Sequence, residues 1–513
     1  MTRRIVPALV VAAVAIAAVA ASAPQSAGAQ VRPAPSAAPT FVPVPRTRDA
    51  VTHHTIVLGG KTIAYTARAG RLLLHDASGA PTASVFYVAY TADHRTARQR
   101  PVTFFWNGGP GSSTIWLHMG SFGPVRVAVP KNGTQPRPTT PLVPNDSSLL
   151  DMSDLVFIDA VGTGWSTIVG HAKPSDFFGV DEDARAFSQF IERWTTVNAR
   201  WESPKFLFGE SYGTTRAANV VNVLQQDGMA VNGVVLLSSA LDYNFLPIGQ
   251  GPGNDYVYIG YLPTEAAVAW YHHKATAGSR DLAGFVAEVR AFAGGPYAQA
   301  LMAGDTLDPR VRAQIVAKLH AYTGLSTDYI ERADLRIDPN RFGEELLRSE
   351  GLSVGRYDGR YAGHEVDRNG TYPSDDFSDT MTSAAYVAAL YHYTHDVLHY
   401  NEERPYEVIS GQVNRSWKYQ RDEDGNAVTV VADLRSAITE NPYLHVLSAN
   451  GYFDLATGFY GTEYLLRHMN LSPSESRRVT FAYFPSGHEV YLNHDALVQF
   501  KADLVTFYGT ATK

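Results

Sequence analysis

The sequence predicts an α/β protein, a mostly parallel central sheet covered by helices on both faces and interrupted by an inserted helical region. Three observations point there. Short apolar runs recur at Val102 to Trp106, Leu155 to Ile158, Phe206 to Phe208, Val234 to Leu237, Leu444 to Leu447 and Val479 to Phe484; they lack the alternation of half-exposed strands, as strands buried on both faces do. Helix-like stretches such as Asp181 to Thr195 and Thr214 to Gln226 lie between several of them, as parallel crossovers require. From about Gln250 to Asp375 the strand signal vanishes and helical periodicity takes over, in Arg280 to Phe292, Pro309 to Tyr322 and Pro339 to Ser349.

The chain opens with Arg3-Arg4, an apolar stretch from Ile5 to Ala21, and Ala27-Gly28-Ala29 before Gln30. This pattern reads as a secretory signal peptide over residues 1–29, cleaved after Ala29. The apolar stretch sits near the lower length limit for spanning a bilayer, so no stable membrane insertion is expected after cleavage. A Pro- and Ala-rich linker follows over 30–48. Between Thr55 and Tyr90, apolar and polar residues alternate around Gly59-Gly60 and the Asp76 to Pro81 turn cluster, as antiparallel hairpins require. The expected layout is a first part of the core over 49–249, the helical insertion over 250–375 and a second part over 376–513. An insertion entering after Val234 to Leu237 emerges at the carboxyl ends of the strands, where α/β proteins bind ligands, and reads as a lid.

With 513 residues, 45% hydrophobic and 18% charged, the chain has the size of an enzyme. Its formal net charge of -7 becomes -9 without Arg3 and Arg4, and no Lys/Arg cluster interleaves with aromatics, so nucleic acid is not an expected partner. Export would permit disulfides, yet cysteine is absent. That excludes a thiol nucleophile and a thiolate metal site.

The chemistry begins at Gly209-Glu210-Ser211-Tyr212-Gly213, between a strand-like and a helix-like segment. A serine there stands at the apex of a sharp turn with its hydroxyl exposed and neighbouring N–H groups aimed at the same spot. The hydroxyl needs a histidine to take its proton and a carboxylate to orient that histidine. Asp454 follows the Leu444 to Leu447 run and His488 follows Val479 to Phe484, giving the chain order Ser, Asp, His. A helix N-cap explains Asp454 alone, and a solvated ring explains His488 as one of 17 histidines; the combined order favours the catalytic reading. The glycine-rich stretch Trp106-Asn107-Gly108-Gly109-Pro110-Gly111 directly after a strand supplies a second oxyanion donor beside the N–H of Tyr212. It matches neither dinucleotide nor phosphate-loop spacing.

Together these blocks resemble the serine carboxypeptidase family of α/β-hydrolases. Trp106 to Ser113, Ile158-Asp159-Ala160-Val161-Gly162-Thr163-Gly164-Trp165-Ser166, Gly209 to Gly213, Asn450-Gly451-Tyr452-Phe453-Asp454 and Gly487-His488 match that family's blocks in order. The resemblance implies an α/β-hydrolase fold and a secreted or periplasmic hydrolase that needs no metal or organic cofactor and removes C-terminal residues through an acyl-enzyme. It implies Ser211 as nucleophile, His488 as general base, Asp454 as its orienting carboxylate, Gly109 and Tyr212 as oxyanion donors, and Asn107 and Glu210 as binders of a peptide's free C-terminus. An esterase or acyltransferase using the same triad is the alternative; an inactive binding protein is disfavoured because every triad position is filled.

The sequence departs from the family where a second substrate-binding glutamate is expected and Ser121 stands instead. A glutamate pair is therefore not expected, and Ser121, His118 or Arg126 remain as neighbours for a carboxylate. Weaker carboxylate selectivity and an optimum nearer neutral pH follow from that reading. Ser112 and Thr457 stand where the family has cysteines. His488-Glu489 is rejected as a zinc motif because the next histidine, His494, breaks the i+4 spacing. His392, His395 and His399 share a helical face but lack a carboxylate or cysteine complement.

Overall fold

Three long strands, β1 (Ala50–Leu58), β2 (Lys61–His75) and β3 (Pro81–Ala92), open the body as an antiparallel meander. Gly59 and Gly60 close the first turn at φ 55° and 77°. A two-residue hairpin needs positive φ at both central positions, which glycine adopts without strain. The computed structural model describes residues 41–94, 96, 100–129, 139–276, 281–421 and 428–513. The expected leader and most of the expected linker lie outside these residues. The folded unit begins at Phe41, ahead of the expected boundary at 49. Val42 pairs with Gly170, and Thr47 Oγ1 donates to Glu402 Oε2 at 2.9 Å.

The apolar runs become β4 (Val102–Trp106), β5 (Asp154–Ile158), β6 (Lys205–Glu210), β7 (Gly233–Leu237), β8 (His445–Gly451) and β9 (Val479–Phe484). The sheet order is β1-β2-β3-β5-β4-β6-β7-β8-β9, with Thr167–Ile168 added against β3. Every pairing from β5 to β9 is parallel. Each residue of β4, β5, β6 and β7 is buried, because both faces are covered. Successive side chains feed opposite cores. Phe105, Phe157 and Phe208 pack on one face against the carboxy-terminal helix His494–Ala511 and the helix Phe377–His392. Phe104, Val156 and Leu207 pack on the other against α1 (Val180–Val197) and α2 (Tyr212–Gln226). This is the α/β-hydrolase fold.

From β4 the chain steps to β5 on one side and then to β6 on the other. That reversal opens a crevice beyond the carboxyl ends of β4 and β6. The loop after β4 is the glycine-rich stretch, and the turn after β6 holds Ser211. At the opposite end of the sheet, Asp154 is buried between Arg100, 2.5 Å away, and Arg200, and accepts from Ala92 N at 2.9 Å.

Among the described residues no strand of this sheet lies between Leu237 and His445. The insertion holds α3 (Tyr256–Tyr271) and helices Leu282–Phe292, Ala298–Ala303, Pro309–Thr323, Thr327–Arg332 and Pro339–Glu345. They share an apolar core that also takes in Phe453, Leu455 and Phe459 of the body. A small antiparallel pair, Leu352–Val354 with Ala362–His364, stands where no strand was expected. Three-residue strands are too short to leave a period-2 pattern.

Candidate active site

Ser211 caps α2 with φ 61° and ψ -130°, a conformation a non-glycine residue rarely adopts. Its N–H donates to Leu237 O of β7 at 3.0 Å, which fixes the apex against the sheet. The turn is closed so tightly that a Cβ at Gly209 would stand 2.1 Å from Gly213 O. Tyr212 is the first residue of α2, so its N–H belongs to the helix-terminal donors that have no intrahelical acceptor.

The glycine-rich loop lies directly on this turn. A Cβ at Gly108 would stand 2.4 Å from Tyr212 N and 2.8 Å from Glu210 O. Asn107 holds the loop: its Oδ1 accepts from Leu117 N at 3.0 Å, its carbonyl accepts from Arg216 Nη1 at 2.7 Å, and its Nδ2 donates to Glu210 Oε1 at 2.8 Å. Arg216 is anchored in turn by Asp183 at 2.7 Å. Gly109 and Ser211 face one cavity.

The turn after β9 brings His488 to the same cavity, and the turn after β8 sets Asp454 behind it. His488 Nδ1 lies 2.8 Å from Asp454 Oδ2, both side chains buried. Asp454 Oδ1 accepts from the N–H groups of Ala456 and Thr457 at 2.8 and 2.9 Å, and Thr457 Oγ1 donates to Oδ2 at 2.6 Å. Asp454 thus caps the local turn and also holds the histidine. Burial works against the imidazolium, but the Asp454 carboxylate outweighs it, and the His488 pKa is raised above 6.5. With Nδ1 committed to Asp454, Nε2 is the nitrogen left for Ser211, which lines the same cavity. The His488 backbone is fixed by bonds to Tyr357 O at 2.6 Å and from Ser238 Oγ at 2.7 Å.

The structure therefore brings together Ser211, Asp454, His488, Gly109, Tyr212, Asn107 and Glu210. The neighbours offered for a carboxylate behave differently. Ser121 Oγ donates to Leu117 O at 2.5 Å within its own turn. His118 is buried, bonded to Tyr90 OH at 2.6 Å and stacked on Phe157; burial pushes its pKa down to about 3, so it carries no charge. Arg126 does not line the cavity, and its Nη1 reaches its own neighbour's carbonyl, Val127 O.

Sequence reasoning missed five cavity residues, Trp116, Tyr357, Asp379, Ile409 and Glu489. Tyr357 and Asp379 arrive from regions far from any motif. Glu489 was legible only as the residue after His488 and was set aside with the zinc motif. Ser121 supplies no carboxyl, but Glu489 and Glu210 line one cavity from loops 279 positions apart in sequence, at 489 and 210.

Comparison with known proteins agrees with this geometry. Residues 67–238 match the family model described as serine carboxypeptidase. Over that segment the chain is similar to the serine carboxypeptidases. The match takes in the glycine-rich loop and Ser211 but ends before Asp454 and His488, which the fold alone connects to it. A pheromone-processing carboxypeptidase kex1 of Aspergillus niger is 28% identical over 182 residues, 35% of this chain and 28% of the relative. Serine carboxypeptidase-like 5 of Arabidopsis thaliana is 28% identical over 184 residues, 33% of this chain and 40% of the relative. The matched region thus spans well under half of these carboxypeptidase relatives. Among solved structures, a proline iminopeptidase of Mycobacterium smegmatis aligns over 90% of this chain and 99% of its own at 13% identity, with a TM-score of 0.36.

Proposed function

We propose that the protein is an exported serine carboxypeptidase that removes C-terminal residues from peptides through an acyl-enzyme. The observation that carries this reading is Glu210, a buried carboxyl immediately before Ser211, oriented by Asn107 and facing the cavity that Ser211 lines. A carboxyl group there has no part in activating the serine. Its place suits a contact with the leaving group.

In the proposed reaction Ser211 Oγ attacks the last peptide carbonyl while His488 Nε2 takes its proton. The N–H groups of Gly109 and Tyr212 receive the oxyanion. Collapse breaks the C–N bond, and His488 returns the proton to the departing amine. Water, deprotonated by His488, then attacks the ester, and the serine recovers its proton. Asp454 keeps Nδ1–H directed and balances the imidazolium. The insertion, which supplies Tyr357 and Asp358 against the His488 loop, acts as the lid. Export rests on the leader-like residues 1–29; no described helix is long and apolar enough to cross a membrane.

The test is mass-spectrometric digestion of one N-blocked peptide as free acid and as C-terminal amide, with wild type and Ser211→Ala. Stepwise loss from the free acid, much slower loss from the amide and none with the variant are expected. Equal cleavage of both forms would show a peptidase that does not read the carboxylate, and hydrolysis of simple esters without peptide trimming would favour the esterase or acyltransferase reading instead.

A further inference from the structure

Glu489 is 8% exposed and Glu210 3%, and both line the cavity that holds Ser211. Glu210 is bonded to Asn107 through Oε1, but Glu489 Oε2 is buried with no hydrogen-bond partner. The buried Tyr491 hydroxyl is a hydrogen-bonding neighbour of Glu210, and the buried Tyr386 hydroxyl has no partner. A buried polar atom is destabilising unless a partner completes it. Glu489 Oε2, unpartnered in the cavity that Ser211 lines, and Tyr386 OH nearby indicate a polar ligand.

The protonation state says which ligand. Two carboxylates in one water-poor cavity repel, so the pair retains at least one proton near neutrality. Burial pushes Glu210 up to about 7 and Glu489 well above its usual range, with the Glu210 charge adding to the shift at Glu489. The surroundings keep the same sign. Asp358, Asp376 and Asp379 also face Glu489, and of these Asp358 is paired to Arg360 at 2.6 Å and Asp376 lies 3.8 Å from Arg356. Tyr357, Tyr361, Tyr386 and Tyr491 are un-ionised neighbours, and His488 adjoins in sequence. Protonated carboxyls are O–H donors, and a group that takes up such donors carries two oxygens and a negative charge.

We propose that Glu489 is a specificity-determining residue, forming with Glu210 a proton-sharing carboxyl pair that binds the terminal carboxylate of the peptide substrate. The inference rests on the carboxypeptidase reading above. It also accounts for Ser121. A Cβ at Gly120 would stand 2.5 Å from Tyr386 OH and 2.7 Å from the Tyr491 ring, so these tyrosines press on the chain beside Ser121. The second carboxyl is delivered by the His488 loop instead.

The experiment compares KM for an N-blocked dipeptide as free acid and for the matched dipeptide amide from pH 5 to 8.5, in wild type, Glu489→Leu and Glu489→Gln. Reaction of Ser211 with a fluorophosphonate titrates the folded, competent fraction of each variant. In wild type the free-acid KM is expected to rise with pH above about 7 as the pair loses its shared proton, while the amide KM does not. Leucine removes the donor, so the ratio of free-acid to amide KM is expected to rise roughly 10- to 100-fold at pH 5 to 6. Glutamine keeps an N–H donor at every pH and is expected to flatten the alkaline rise. A wild type that prefers the free acid, with the KM ratio unmoved in both variants, would overturn the role of Glu489 and leave the carboxypeptidase reading standing. A wild type without that preference would overturn both.

Discussion

Gly108→Ala tests whether contact between the glycine-rich loop and the serine turn builds the site. The added methyl would stand 2.4 Å from Tyr212 N and 2.8 Å from both Glu210 O and Gly213 N. All three are backbone atoms of a turn that is itself tied to Leu237, so none can swing aside as a side-chain end can. Ordinary contact begins near 3.4 Å, so the loop must withdraw by about 1 Å, a misplacement that costs on the order of 10²-fold in rate. Withdrawal carries Gly109 away from the oxyanion, and losing one such donor costs roughly 10²- to 10³-fold in kcat. Overpacking should also lower stability by about 1–3 kcal/mol. The assay is kcat on a neutral ester with active-site titration, alongside thermal unfolding. Gly509→Ala is the control: nothing lies within 4 Å of its Cβ, and it sits in the carboxy-terminal helix, where alanine should stabilise by up to about 1 kcal/mol. If Gly108→Ala kept more than about a third of wild-type kcat, the loop would not be placing an oxyanion donor, and the argument from contact would fail.

Three further outcomes are expected. Asp454→Asn keeps the shape but removes the charge that holds the His488 tautomer, and should lower kcat by roughly 10³- to 10⁴-fold; single-turnover kinetics with an ester would show it. On that ester the His488 pKa, raised above 6.5, sets the acid limb: the base is neutral above it and protonated below it, so kcat/KM should climb with pH to a plateau whose inflection lies above 6.5. An inflection below that value would contradict the Asp454 pairing. Asp154→Ala strands the buried guanidinium groups of Arg100 and Arg200, and urea unfolding should report a loss of about 3–5 kcal/mol, far from the site.

Much of the fold was legible along the chain. The Val102 to Trp106 and Val479 to Phe484 runs are β4 and β9 to the residue: β4 is buried throughout, as a strand covered on both faces is, whereas β9 is an edge strand in which only Ala482 and Phe484 are buried. Local runs carried Ser211 and the glycine-rich loop as well, since a strained turn and a close backbone approach each demand particular residues within a few positions. The short strands Leu352–Val354 and Ala362–His364 were not legible, and neither was the attachment of residues 41–48 to the body, because pairing partners far away in sequence leave no periodicity.

Sequence by itself singled out Ser211, Asp454 and His488 as the proposed triad, and their chain order, because each sits where a strand ends and local rules bind hardest. Only the tertiary structure decided what surrounds them. It neutralised His118 by burial, turned Ser121 back onto its own chain, and set Glu489 beside Glu210. Those outcomes depend on which loops meet in space and how much water they exclude, and a linear pattern encodes neither.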